Sequence, residues 1–119
     1  MATNFQVYLG RTKNTYSASV NTSYTVPSNE VWYVYVAPTF SNGVESGEFG
    51  NYESLVRIGS EIIGRDSIFV LVPSPPQRQQ GGGTIVAPGT IFTVVAAGEG
   101  LLQTTSIDVY FEKFRAFLY

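Results

Sequence analysis

The side chains able to do chemistry are few and scattered. Histidine and cysteine are both absent from the 119 residues, which removes the usual triad base, the commonest zinc ligands and the thiolate nucleophile. Acid–base chemistry would have to rest on carboxylates. Aspartate occurs only at Asp66 and Asp108, and Glu45, Glu48 and Glu53 lie in or beside a glycine-bearing loop, where they read as solvated charges. A glycosidase needs two carboxylates facing each other across a cleft, about 5 to 10 Å apart, and no motif here marks such a pair. The run Gly81-Gly82-Gly83-Thr84 lacks the lysine and the following helix of a phosphate-binding loop, so it reads as flexible chain. Asn42, Glu45, Glu48 and Asn51 offer oxygens, but their spacing matches no calcium loop and predicts a solvated polar loop. Arg57, on an apolar strand, should point opposite to Val56 and Ile58 as a solvent or interface charge. No catalytic residue, metal or cofactor is expected, and the chain reads as a non-enzyme.

Composition narrows the partners. Seven Lys and Arg against nine Asp and Glu give a net charge of −2, and charged residues make up 13% of the chain, about half the usual share. Without a basic cluster there is no footprint for nucleic acid or an anionic membrane. Stability must come from packing, since no disulfide can form. The amino terminus lacks a basic and an apolar region of the secretory kind, and no apolar run reaches the roughly 18 residues of a membrane helix. The expectation is a soluble chain with no membrane partner, folded as a single domain over 1–119.

The elements that position these side chains follow from periodicity. No window shows helical spacing, whereas short β-branched and aromatic runs recur between Gly, Pro, Asn and Ser clusters. Strands are predicted over 5–9, 16–20, 31–40, 54–58, 68–72, 84–86, 90–96 and 106–117, with a short piece at 61–63. About eight strands in this length predict an all-β fold, an antiparallel β-sandwich of jelly-roll-like form. Turns are expected at Ser41-Asn42-Gly43, at 47–51, around Gly59 and Gly64, and at Ala87-Pro88-Gly89. Residues 73–83, rich in Pro and then Gly, form an exposed loop within the domain, and residues 1–14 a possible arm. Two segments, 27–37 and 88–97, share a proline turn followed by a branched residue, an aromatic and valines; similar turn chemistry starting two strands of one sandwich explains the echo.

Several strands are apolar on both faces. Alternation sets Trp32, Val34, Val36 and Phe40 on one face of the third strand and Val31, Tyr33 and Tyr35 on the other. No helix is available to cover the second face. It could be enclosed by a curved barrel, serve as a tyrosine platform for a ligand, or be buried by other copies of the chain. The end of the chain adds to the third possibility. Ile107, Val109 and Phe111 alternate cleanly with Asp108, Tyr110 and Glu112, but continuing the register puts Lys113 and Arg115 inside and Phe114 outside. A bulge near Glu112-Lys113, or a strand leaving its own domain, would resolve this. The apolar segment Phe117-Leu118-Tyr119 needs a binding partner to stay ordered. Val31, Tyr33, Tyr35, Phe114, Phe117 and Tyr119 are therefore the candidate contact residues, and a homo-oligomer is expected.

The layout, with TVPSNEVWYVYV early, VRIG in the middle and TIVAPGTIFTVVA late, resembles the small β-sandwich virion proteins of tailed bacteriophages, the capsid decoration (cement) proteins and fibre tips. The resemblance covers about residues 24 to 111 as a rhythm of strands and proline turns. It implies a jelly-roll subunit without cofactor that forms a homotrimer, is found in the virion, and binds the major capsid protein or another virion protein. A mobile end would grip the shell, and here 1–14 is in place to do so. The fibre-tip branch implies instead a receptor- or carbohydrate-binding module using Tyr33, Tyr35 or Tyr52 and the loop 41–51. The same rhythm is also similar to lectin-like and tumour-necrosis-factor-like sandwiches.

Overall fold

The computed structural model describes residues 4–17, 19–40, 46–72, 77–79, 83–100 and 104–118. The described chain is antiparallel sheet throughout: β1 (Asn4–Tyr16), β2 (Ser19–Thr25), β3 (Glu30–Phe40), β4 (Phe49–Ile58), β5 (Glu61–Leu71), β6 (Gln77–Gln79), β7 (Thr84–Val86), β8 (Ile91–Gly100) and β9 (Thr104–Leu118). One sheet has the order β1-β9-β3-β7 and the other β2-β8-β4-β5-β6. First pairs with last, second with next to last, third with β7, and β4 with β5. This nesting is the jelly roll, with β6 as a short extra strand on the edge of the second sheet.

The strands are longer than the sequence patterns suggest, for identifiable reasons. The polar run from Arg11 to Thr15 belongs to β1, because its backbone pairs with β9 from Arg11↔Glu112 to Thr15↔Asp108. The predicted strand 16–20 is corrected: it straddles the turn between β1 and β2, where the Ser19 N–H donates to the Ser17 carbonyl at 2.6 Å. Residues 61–63 and 68–71 belong to one strand, β5, so Gly64 is not a turn but a strand residue opposite Val56, beside a register shift between Val56 and Arg57. There is no room at Gly64 for a side chain, since an added Cβ would lie 1.9 Å from Thr84 Oγ1 on β7. The hairpin turns at Gly59, with φ of 61°. Of the expected 73–83 loop, residues 77–79 form β6 and the remainder up to 82 lies outside the described residues. From Asn4 onward the expected arm is edge strand β1.

The core lies between the sheets. Trp32, Val34 and Val36 of β3 and Ile107, Val109 and Phe111 of β9 face Phe92, Val94 and Ala96 of β8 and Tyr52 and Val56 of β4, all buried. The two echoing proline turns are neighbours at one end: the Gly89 N–H donates to the Val26 carbonyl at 3.0 Å and the Val26 N–H to the Thr90 carbonyl at 2.9 Å. The strands that leave them meet across the core, with Trp32 edge-on to Phe92 at 6.2 Å and 82°. Edge-to-face packing of this kind adds to the area buried.

Candidate interaction face

The outer face of the four-stranded sheet is built by register. Val31, Tyr33 and Tyr35 project from β3 opposite the buried Trp32, Val34 and Val36. The β3–β9 pairing sets Val31 against Phe114, Tyr33 against Glu112 and Tyr35 against Tyr110. On the other side of β3, Tyr33 meets Ile85 of β7. On β1, Tyr8 lies against Phe114 and Arg11 against Glu112. Four of the six candidate residues, Val31, Tyr33, Tyr35 and Phe114, are thus brought together on one surface. Phe117 is paired through its backbone with Phe5 at the end of β9, and Tyr119 lies outside the described residues.

The expected break in β9 is not in β9. Its register with β3 runs without interruption from Arg115 to Ser106, and the irregularity falls on β1, between Tyr8 and Gly10, where Gly10 has φ of 119°. Lys113 does turn to the inner side, at the end of the core, where its Nζ lies 4.5 Å from the centre of the Trp32 ring. That cation–π contact lets a lysine continue an otherwise apolar alternation. Phe114 then faces outward against Tyr8, with ring centres 5.3 Å apart.

Several polar groups of this face satisfy one another. The Tyr8 hydroxyl donates to Glu112 Oε2 at 2.6 Å, and Arg11 Nε donates to Glu112 Oε1. The Tyr8 hydrogen bond and the Arg11 charge hold the Glu112 carboxyl below its ordinary value. The same bond to Glu112 raises the Tyr8 phenol. The Arg11 guanidinium also sits 5.4 Å from the Tyr110 ring centre and 5.9 Å from that of Tyr35. Tyr35 and Tyr110 stack face to face, 4.8 Å apart and 9° from parallel. The Thr15 hydroxyl donates to Asp108 Oδ1 at 2.6 Å, and the Gly83 N–H donates to the Tyr33 hydroxyl at 2.6 Å. Beside these groups is a shallow, almost wholly apolar hollow of about 280 Å³, lined by Gln6, Val31, Tyr33, Ile85, Glu112 and Phe114. Ile85 stands at its rim and is 71% exposed, the most of any large apolar residue described.

Sequence reasoning missed Ile85, Tyr8, Arg11, Tyr110 and Glu112 as members of this surface. Alternation alone had already turned Tyr110 and Glu112 outward, but only the register joins them to β3. A three-residue strand carries no period, which hid Ile85. The β1 bulge shifts the alternation by one residue, which hid Tyr8.

The other candidates are dispersed. Asp66 lies buried on the inner side of β5, at 8% exposure, whereas Asp108 is on the outer face of the opposite sheet, so the two aspartates share no cleft. Tyr52 is corrected from an exposed ligand residue to a core residue at 1% exposure. Its phenol is pushed far up by burial and by the nearby Asp66 charge. Of the oxygen-bearing residues of the polar loop, Asn42 and Glu45 lie outside the described residues, and no group of three metal-ligating side chains occurs among those described. A cleft of about 140 Å³ between the sheets, bordered by Ser54, Asp66, Gly83 and Thr84, is small and mixed in character. Among the described residues no helix is long and apolar enough to cross a membrane. No protein-family model matches the chain, and no curated protein matches it.

Proposed function

We propose that this protein is a structural subunit of a virion, a capsid decoration protein of the tailed-bacteriophage kind that associates with its own copies and stabilises the shell by protein contacts. The observation that carries the reading is the outer face of the β1-β9-β3-β7 sheet. It is a contiguous apolar and aromatic surface on which Glu112 is engaged by Tyr8 and Arg11, and whose described charges balance, Arg11 and Lys13 against Glu112 and Asp108. Surfaces of this composition bind other protein surfaces. The jelly-roll topology supports the reading in a second way, because it builds a core of buried aromatics and valines without disulfides. A fibre-tip recognition module is less well supported. Tyr52 is buried, and Tyr35 and Tyr110 turn their flat faces toward each other instead of offering them to a sugar ring.

The test uses purified phage shells lacking decoration. The protein is expected to bind them at a fixed copy number per shell and to raise their resistance to heat or chelation. Binding to host cells or glycans, with the shells unchanged, would transfer the function to the recognition class.

A further inference from the structure

We infer that the hollow on the β3–β7 half of this face is filled by Ile85 of a second copy of the chain, in a reciprocal two-fold contact. The inference rests on the contact-surface reading above and names the partner. Three observations carry it. First, knob and hole lie side by side: Ile85 is the most exposed large apolar residue described, and it stands at the rim of a hollow of about 280 Å³. A two-fold axis lying along the face carries each Ile85 into the other copy's hollow, so a single patch is complementary to itself. Second, the hollow is apolar enough to hold a branched aliphatic side chain between Val31, Tyr33 and Phe114. Third, the charged side chains of this face balance: Arg11 and Lys13 on β1 stand against Glu112 and Asp108 on β9, and Glu112 is engaged by Tyr8 and Arg11. A strongly charged partner therefore meets no opposite net charge, whereas an identical copy is as neutral as the face it covers.

The walls of the hollow are held for this role. Tyr33 is pinned by the Gly83 N–H, and Gly83 itself has no space for a side chain, since an added Cβ would lie 2.5 Å from the Val34 carbonyl oxygen and 2.7 Å from Tyr33 Cζ. The rim that carries Ile85 is thus locked to the ring that lines the hollow. Such a contact is two-fold and makes dimers, so the three-fold association implied by the resemblance would require a different surface.

The full chain, Ile85→Arg and Ile91→Arg are compared by sedimentation equilibrium over a range of micromolar concentrations. Ile91 is 63% exposed on the opposite sheet and serves as the control. The wild type and Ile91→Arg are expected to have the mass of two chains. Ile85→Arg is expected to dissociate at least about thirtyfold more readily, as when a central contact residue is lost, with an unchanged β-sheet circular dichroism spectrum. A wild type of one chain or of three, or a dimer unaffected by Ile85→Arg, overturns the inference. Loss of dimer in both variants overturns it as well, because the contact would then not be local. Shell binding is measured on the same samples: wild-type protein that decorates shells as a monomer refutes the two-fold contact and leaves the decoration reading standing, whereas a dimer that ignores shells does the reverse.

Discussion

Glu112 is the residue through which the outer face responds to acid. Its carboxylate accepts from the Tyr8 hydroxyl and from Arg11, and both interactions favour the ionised form, so its folded value lies below the ordinary 4.5. A depressed carboxyl value means that the unfolded chain takes up the proton first. The contribution of Glu112 is therefore complete above 4.5 and is lost as the pH falls through the lower folded value. Because the pair stands on the outer surface, with the Arg11 side chain largely exposed, this is a local effect on the face and not a driver of global unfolding. Carboxyl-carbon NMR titration is expected to place Glu112 below the other glutamates, and Arg11→Ala or Tyr8→Phe to move it up toward 4.5. A Glu112 resonance that titrates normally in the wild type would show that the triad is not formed in solution. None of these partners could be read from the sequence: Tyr8 and Glu112 are 104 positions apart, and only the β1–β9 register makes them neighbours. By contrast, Val31, Tyr33 and Tyr35 were legible, because alternation within one strand needs no partner.

At the scale of elements, the sequence is most informative where a strand alternates and least where turn-formers sit inside one. Thr84–Val86 was read to the residue, and β3 to within one residue of its start. Gly64 was misread, since glycine inside an apolar run signals a turn as readily as a close approach. Its actual role is to let β5 pass beneath β7. An added methyl group would meet Thr84 Oγ1 at 1.9 Å and Thr84 Cβ at 3.1 Å. Turning the Thr84 hydroxyl away relieves the first contact but not the second, so β7, the edge strand that carries Ile85, must also give by a few tenths of an ångström. Gly64→Ala is expected to destabilise by about 1 to 3 kcal/mol, the cost of overpacking, measured as a lower denaturation midpoint at unchanged slope. Displacement of β7 should also lower hydrogen-exchange protection at those β3 amides, among Trp32, Tyr33 and Val34, that donate to β7, more than at Val109. Equal stability of Gly64→Ala and wild type would mean that the two strands are not in contact at this point.

For the whole molecule, the jelly roll followed from counting alternating segments and finding no helical period, while the assembly depends on which faces the nesting leaves uncovered. The sandwich buries one face of each sheet. On the four-stranded sheet it leaves an outer surface of ring edges, aliphatic groups and a balanced set of charges that the fold itself does not cover. If Ile85 and the hollow are covered by a second copy, folding and association are linked, because the native chain binds its partner and the unfolded chain does not. The melting temperature must then depend on protein concentration. At a hundred times the dissociation constant, association stabilises by about 2.7 kcal/mol relative to the unassociated chain, which for a chain of this size corresponds to a rise of several degrees, about 5 to 15 °C. Differential scanning calorimetry from low to high micromolar concentration is expected to show this rise for the wild type and for Ile91→Arg. For Ile85→Arg the melting temperature should be flat and close to the dilute wild-type value, since Ile85 makes little contact within its own subunit. A wild-type melting temperature independent of concentration would mean that the sandwich keeps this apolar face exposed and is stable as a single chain.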